Sequence, residues 1–341
     1  MLAMGEPVAD RTTSATDNAV MAKASHRFFD RSYLSASERA GWRRRNSLCK
    51  DDRWLAYAMV LPVVLAVLGF VIGPAYDVFR LSFTRYVMGQ ELGFGTLVNF
   101  YNLFADPMFV HVLKNTAVWI FGGTIGCVAL GLALACFLAM NGPVTAALRA
   151  LILLPWILPD VVTAMAWKWM LHGQVGIVGQ TLKDMGLTER PISFLGDPSL
   201  VMWVLVAVVI WRKVPLVTLV LTAAIRSVPS ELLEASRIDG ANRWESFRYV
   251  VMPHIAFPFT SITVIAMIWM TAEFTLPWVM TGGGPANSSQ IISTYIYQQS
   301  FEFFNWGVAA AMSVVNLVCL AALVAVYLVV MRRSWAGKER S

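Results

Sequence analysis

Two stretches of this chain, Asn115 to Met140 and Trp306 to Met331, contain no charged residue at all. Each is longer than the roughly 20 apolar residues that a helix needs to cross a hydrocarbon core. Lipid offers no partner for a free backbone N–H or C=O, so an apolar run of this length must be helix. Four further stretches are nearly uncharged, and together they predict six spans at about 54–83, 112–140, 148–171, 199–225, 254–280 and 306–331. Composition agrees, with 57% apolar and only 14% charged residues and a mean hydropathy of +0.60, outside the usual soluble range. The expected fold class is an all-α polytopic membrane protein with six transmembrane helices.

The positive charges set the expected orientation. With six spans, both ends lie on one side, and the arms and connections of that side hold 19 of the 27 Lys and Arg residues. The opposite side holds six, Arg80, Arg85, Lys114, Lys168, Lys183 and Arg190, while Arg212 and Lys213 fall inside the fourth span. The positive-inside bias places both termini, and the connection around 226–253, in the cytoplasm. The net charge of +6 therefore needs no nucleic acid to explain it. Residues 1–53 carry ten Lys and Arg without a short apolar core, so they read as a basic cytoplasmic arm, partly disordered, and not as a cleaved signal peptide. A short tail at 334–341 follows the six-span domain of 54–333.

Catalytic chemistry has little to stand on. His26, His111, His172 and His254 sit in separate segments without metal-ligand spacing, and no phosphate-binding G-x-x-x-x-G-K-[ST] loop occurs. Cys49, Cys127, Cys136 and Cys319 are too scattered for a zinc site or a disulfide framework and read as small packing residues. If transport is energised, the ATP must be bound by another chain.

Charges at membrane depth are costly, and they either face a cavity or pair with one another. Asp160 falls near the middle of the third span, Arg212 and Lys213 about as deep in the fourth, Glu273 toward the outer half of the fifth, and Asn316 about a third of the way along the sixth. Lining a substrate pathway and internal pairing, for example of Asp160 with Lys213 or Arg212, are both open at this point. Trp156, Trp167, Trp169, Trp203, Trp211, Trp269 and Trp278 add amphipathic rings, which most often form an interface belt or packing. Trp211, Trp269 and Trp278, beside Arg212 and Glu273, fit a polyhydroxylated ligand, because sugars are bound by aromatic faces together with planar polar groups. Prolines in "LLPWILPD" and "WRKVP" are expected to kink their spans. Connections at about 84–111, 172–198 and 281–305 are too short for a separate domain.

One polar insert interrupts this apolar pattern: "ELLEASRIDGANRWESFRYVVMP", Glu231 to Pro253. Ser230 suits a helix N-cap, with Glu231 favourable in the first turn. The helix is expected to run to Asp239 and stop at Gly240, which can adopt the left-handed conformation. A second helix restarts with Asn242 as N-cap and Glu245 in capping-box spacing, with Trp244, Phe247, Val250 and Val251 on its apolar side. The sequence thus predicts two short helices about a glycine bend, a stiff object suited to passing motion to a cytoplasmic partner.

"EASRIDGA" followed by "VVMP" resembles the E-A-A-x-x-x-G…L-P signature of binding-protein-dependent ABC importer permeases, with Glu234, Ala235, Gly240 and Pro253 in register. Ser236 stands for the second Ala of that signature and Met252 for its Leu. "LRALILLPWILPDVVTAMAWKWM", "WRKVPLVTLVLTAAIRSVPSELLEASRIDGA" and "FTLPWVMTGGGPANSSQIISTYIYQQSF" resemble the carbohydrate branch of the family, in particular its maltose-permease-like first subunit, and the likeness runs over about 54–333. The resemblance implies a type I ABC importer permease fold in the bacterial inner membrane, conducting a sugar-type solute. It implies a second homologous permease subunit, two ABC ATPase subunits holding ATP and Mg, and an extracytoplasmic solute-binding protein, with no cofactor or catalytic residue in this chain. The segment Glu234, Ala235, Ser236, Asp239, Gly240, Ala241 and Pro253 would couple to the ATPase. A stand-alone secondary carrier or channel is the alternative, but it calls for ion-coupling carboxylates and an internal repeat that are not evident.

Overall fold

The computed structural model describes residues 53–87, 90–140 and 142–336. The expected arm at 1–53, save its last residue, and residues 337–341 of the tail lie outside them. Contacts divide the chain into two units, Met1–Pro74 and Ala75–Ser341. Helix α1 (Arg53–Val67), in the first unit, widens into a π turn over Leu68–Ile72, and α2 (Gly73–Ser82) follows, the boundary between the units falling after its second residue. Tyr57–Ser82 is thereby one apolar helix of 26 residues.

After α2 the chain forms an antiparallel hairpin, β1 (Thr84–Val87) and β2 (Gln90–Phe94), followed by the short α3 (Val98–Ala105). The 84–111 connection is therefore structured, and the buried Asn99 fastens it by donating to the carbonyls of Ser82 and Thr84 at 2.9 and 2.8 Å. Next, α4 (Pro107–Leu138) starts where Asp106 accepts from the Met108 N–H at 2.9 Å and Pro107 supplies a pre-set first turn. Then come α5 (Pro143–Leu151), α6 (Leu154–Ile157), α7 (Asp160–Met170), α8 (Ile177–Asp184) and the long α9 (Val201–Arg226). After these the chain forms α10 (Ser230–Ile238), α11 (Arg243–Ser246), a π turn over Phe247–Val251, α12 (Met252–His254) and α13 (Ala256–Ala272). It closes with α14 (Thr275–Thr281), α15 (Ile292–Tyr297), a π turn over Gln298–Glu302, and α16 (Trp306–Ala336).

Among the described residues, four helices are long and apolar enough to cross a membrane, and up to six segments qualify if each of two bent helix pairs counts as one span. Those pairs are the main departure from six plain spans. The third predicted span bends by 93° between α6 and α7, because Leu158 (ψ 137°) and Pro159 (ψ 143°) are both extended. A residue before proline is driven from the helical region, so "LP" ends α6. The fifth is bent by 74° between α12 and α13 and is interrupted again after Ala272, where Glu273 (ψ 123°) leaves the helix. By contrast, Pro215 lies inside α9 without ending it. The 281–305 connection is not a plain loop either: Ile291, Ile292, Thr294, Tyr295 and Gln299 in it are buried.

The core forms where α4, α9 and α13 meet. Gly123 lies against Met270, Gly126 against Ile210, and Gly131 against Val217, so a Cβ on any of them would collide with its neighbour. In lipid there is little hydrophobic gain between helices, and close approach of backbones over small residues supplies the van der Waals packing instead. Trp119, Cys127, Leu205, Val209, Leu221 and Met270 fill this seam. A second cluster, including Leu103, Phe109, Ile292, Tyr295 and Met312, joins α3, α4, α15 and α16.

Candidate functional site: a capped helix pair and a buried ionic cluster

Between α9 and α13 the chain makes the turn, helix, glycine bend and second helix that the sequence predicts, with one correction. Pro229 (ψ 135°) precedes the helix as its cap, and Ser230 is already the first helical residue, with no capping bond from a side chain. The proline has its φ fixed and lies just outside the helix, so Ser230 is carried one position inward. At the other end the Gly240 N–H donates to Arg237 O at 3.1 Å and the Ala241 N–H to Ser236 O at 2.9 Å. This is a Schellman ending, and Gly240 takes the left-handed φ of +83° that it requires. A Cβ there would meet nothing within 4 Å, so conformation, not space, calls for glycine.

The second helix is held by a full capping box. Asn242 Oδ1 accepts from the N–H groups of Trp244 and Glu245 at 2.9 and 3.0 Å, and Glu245 Oε2 accepts from the Asn242 N–H at 2.7 Å. The two helices are also bonded to each other: Ser236 Oγ and Ser246 Oγ are 2.9 Å apart, and Ser236 is 8% exposed. The partner Ser246 was not singled out by the sequence, because a hydroxyl in a four-residue helix carries no signal until the bend brings it opposite Ser236. Val251 and Ile255, with Ala224 and Val228, form a small core that seats the pair on the end of α9. Val251 thus packs as expected, whereas Trp244 stays exposed and lies against Phe247, ring centroids 5.7 Å apart. Glu234, Ala235, Asp239 and Gly240 are exposed, Ala241 is half-buried and Pro253 lies in α12. Leu232, Ile238, Trp244 and Tyr249 are exposed around them.

The second constellation lies about halfway along α9. Arg212 pairs with Asp160 at 2.5 Å, and Lys213 pairs with Glu273 at 3.0 Å. Successive helical residues point about 100° apart, so neighbours on one helix reach two different elements. Each acid stands at one of the helix breaks. Arg212 also donates to the carbonyl of Leu158 at 3.1 Å, a group left without a helical partner by the break at Pro159. At the other break, Ser293 Oγ donates to Glu273 O at 2.7 Å, the Leu276 N–H to Glu273 Oε1 at 3.4 Å, and Trp119 Nε1 to Met270 O at 2.8 Å. Irregular backbone at membrane depth is tolerated only when its polar groups are satisfied in this way.

The tryptophans divide. Trp211 packs edge-on against Trp167 with centroids 5.4 Å apart, and Trp269 lies under Lys213 with Nζ 5.9 Å from its ring centre. Trp278 stacks on Phe274 at 5.6 Å and meets Tyr297 at 4.6 Å, and Tyr297 in turn meets Phe301 at 5.0 Å. Beside this aromatic run is a cleft of about 370 Å³ whose lining includes Thr271, Phe274, Ser293, Tyr297, Phe301 and Asn316. Asn316 also lines a smaller, apolar cavity of about 180 Å³ with Thr116, Phe121 and Leu320. Of the sequence candidates, the structure brings Asp160, Arg212 and Glu273 into ion pairs and Asn316 to the cleft. Ser293, Tyr297 and Phe301 were missed, since they sit in a segment read as a connection. Its repeated aromatics, "TYIYQQSF", were the available signal.

Residues 128–335 match the family model described as "Binding-protein-dependent transport system inner membrane component". A probable ABC transporter permease protein of Brucella suis is 32% identical over 83% of this chain and 99% of its own length. The trehalose/maltose transport system permease protein of Thermococcus litoralis is 29% identical over 82% of this chain and 94% of its own. In fold, the chain is similar to one in the crystal structure of a bacterial alginate ABC transporter in complex with an alginate pentasaccharide-bound periplasmic protein, with a TM-score of 0.74 and 24% identity over 84% of this chain and 96% of that one. The chain belongs to the family of binding-protein-dependent transport system inner membrane components and is a permease subunit of such an ABC transporter.

Proposed function

We propose that this chain forms half of the translocation pathway of an ATP-driven importer for a sugar or related polyhydroxylated solute. A second, homologous permease subunit supplies the other half, two ATPase subunits bind ATP and Mg, and a solute-binding protein delivers the substrate from outside. The observation that carries the reading is the double-capped helix pair of Ser230–Ile238 and Arg243–Ser246, stiffened by the Ser236–Ser246 hydrogen bond. Around Glu234 and Asp239 it exposes Leu232, Trp244, Tyr249 and, at 87%, Ile238, apolar surface of the kind that a protein interface buries. An ATPase seated there would drive Glu234–Gly240, and the small core at Val251 and Ile255 would pass the movement to α9 and α13. The Lys and Arg count supports this face, and both termini, being cytoplasmic.

The sugar class is supported by the trehalose/maltose relative, by the alginate transporter fold, and by a cleft that combines ring faces with hydroxyl and amide groups. Asn316 belongs to that surface and Trp278 packs behind it against Phe274 and Tyr297, whereas Asp160, Arg212 and Glu273 brace the pathway wall. The reading is tested by purifying the chain from its native membrane. The expected assembly holds one further permease and two ATPase subunits. A chain that moves solute alone, without ATP, would overturn it in favour of a secondary carrier.

A further inference from the structure

Two basic side chains in the middle of a membrane helix suggest an anionic cargo, but both are charge-paired within the chain, and the one Arg212 nitrogen without a hydrogen-bond partner, Nε, is buried. Arg212 and Lys213 each have a carboxylate, Asp160 and Glu273, so the four charges cancel. Each also makes a further inward contact, Arg212 to the Leu158 carbonyl and Lys213 to the Trp269 ring. Glu273 is equally occupied, with the Leu276 N–H on its other oxygen and 6% side-chain exposure. Meanwhile the cleft beside the aromatic run carries, among the described residues, only uncharged groups, the hydroxyls of Thr271, Ser293 and Tyr297, the amide of Asn316, and the rings of Phe274 and Phe301. The apolar cavity that shares Asn316 has no charged lining residue among the described residues either.

A carboxylate, sulfonate or phosphate entering this cleft would shed water without gaining a counter-charge, which is unfavourable in a low-dielectric site. A neutral ring with hydroxyls loses less, and it finds aromatic faces and hydrogen-bond partners. We propose that the pathway in this chain selects electrically neutral sugars or polyols and discriminates against anionic ones, because its cleft offers no counter-charge and the nearby cations of α9 are already paired. The inference rests on the sugar-importer reading and narrows it.

The test uses the full transporter in nanodiscs with its solute-binding protein, and records the ATP hydrolysis stimulated by two panels: neutral solutes (maltose, trehalose, xylose, sorbitol) and anions (digalacturonate, glycerol 3-phosphate, sulfoquinovose). Stimulation of roughly tenfold or more by a neutral solute, with none by the anions, is expected. Stimulation by an anion alone overturns the inference and leaves the importer reading standing, whereas silence with both panels removes the sugar reading and this inference with it. A second measurement bypasses the binding protein: saturation-transfer NMR of both panels on the membrane complex alone. Signal is expected on neutral solutes only, and Asn316→Lys, which puts an unpaired cation in the cleft, is expected to add signal on the anions. Equal transfer to both panels in the unmodified complex would contradict the proposal.

Discussion

Arg212 shows why a buried charge in this chain cannot be judged alone. Its guanidinium holds Asp160 and closes the Leu158 carbonyl, so removing it leaves both unsatisfied. Arg212→Met is expected to destabilise the purified protein by about 3 kcal/mol, the low end for a broken buried pair because the Asp160 side chain is 39% exposed. Adding Asp160→Leu should recover most of that loss in thermal unfolding, since an apolar replacement of both partners is often neutral. A gentler case lies outside the spans, at Asp197, whose carboxyl is held below its usual value by the Ser199 hydroxyl and then by its N–H. A depressed carboxylate stabilises the fold above its ordinary value of 3.8, and loses that contribution as pH falls through the lower folded value. Wild type and Asp197→Asn should therefore differ in melting temperature at neutral pH and converge in acid, once the pH has fallen through the lowered folded value. The charges themselves were legible in the sequence. Which acid took which base was not, because that depends on the two helix breaks and not on spacing along α9.

Among the elements, the helix pair was the most legible because its signals are local. The capping box at Asn242 and the left-handed Gly240 are set by a few adjacent residues. Asn242→Ala should cost about 1 kcal/mol of local stability, and Gly240→Ala a similar amount through the φ of +83° alone. Both should appear as faster amide exchange over Ser230–Val251, with α9 unaffected. The broken spans were less legible. Proline announced a kink near Pro159, yet the 93° bend also depends on Arg212 crossing from another helix to satisfy the freed carbonyl. Nothing in the local pattern marks the break at Glu273, since its stabilising partners Ser293, Trp119 and Lys213 come from three distant segments. The same holds for α15, whose burial is supplied by α4 and α16.

At the scale of the whole molecule, the apolar runs dictate helices and the glycines decide how closely they pack. Gly131→Val would place a Cβ 2.6 Å from Val217 Cγ1, between two β-branched side chains with little rotamer freedom. Separation of α4 from α9 is expected, with a loss of about 1–3 kcal/mol and a lower melting temperature in detergent. The broad architecture followed from hydropathy, while the cleft did not, because Thr271, Ser293, Tyr297 and Asn316 come together only through the turns at Glu273 and Phe303. On the function proposed above, bent and internally braced helices joined to a stiff helix pair give the molecule its logic: force applied at Glu234–Gly240 should be felt at α9 and α13. The direct test is solute-stimulated ATP hydrolysis by the reconstituted complex carrying Glu234→Lys or Gly240→Pro, compared with the unmodified complex. The account predicts that both variants lose stimulation by roughly tenfold or more, equivalent to at least about 1.4 kcal/mol, while the unstimulated ATPase subunits stay active. Full stimulation in both variants would contradict it.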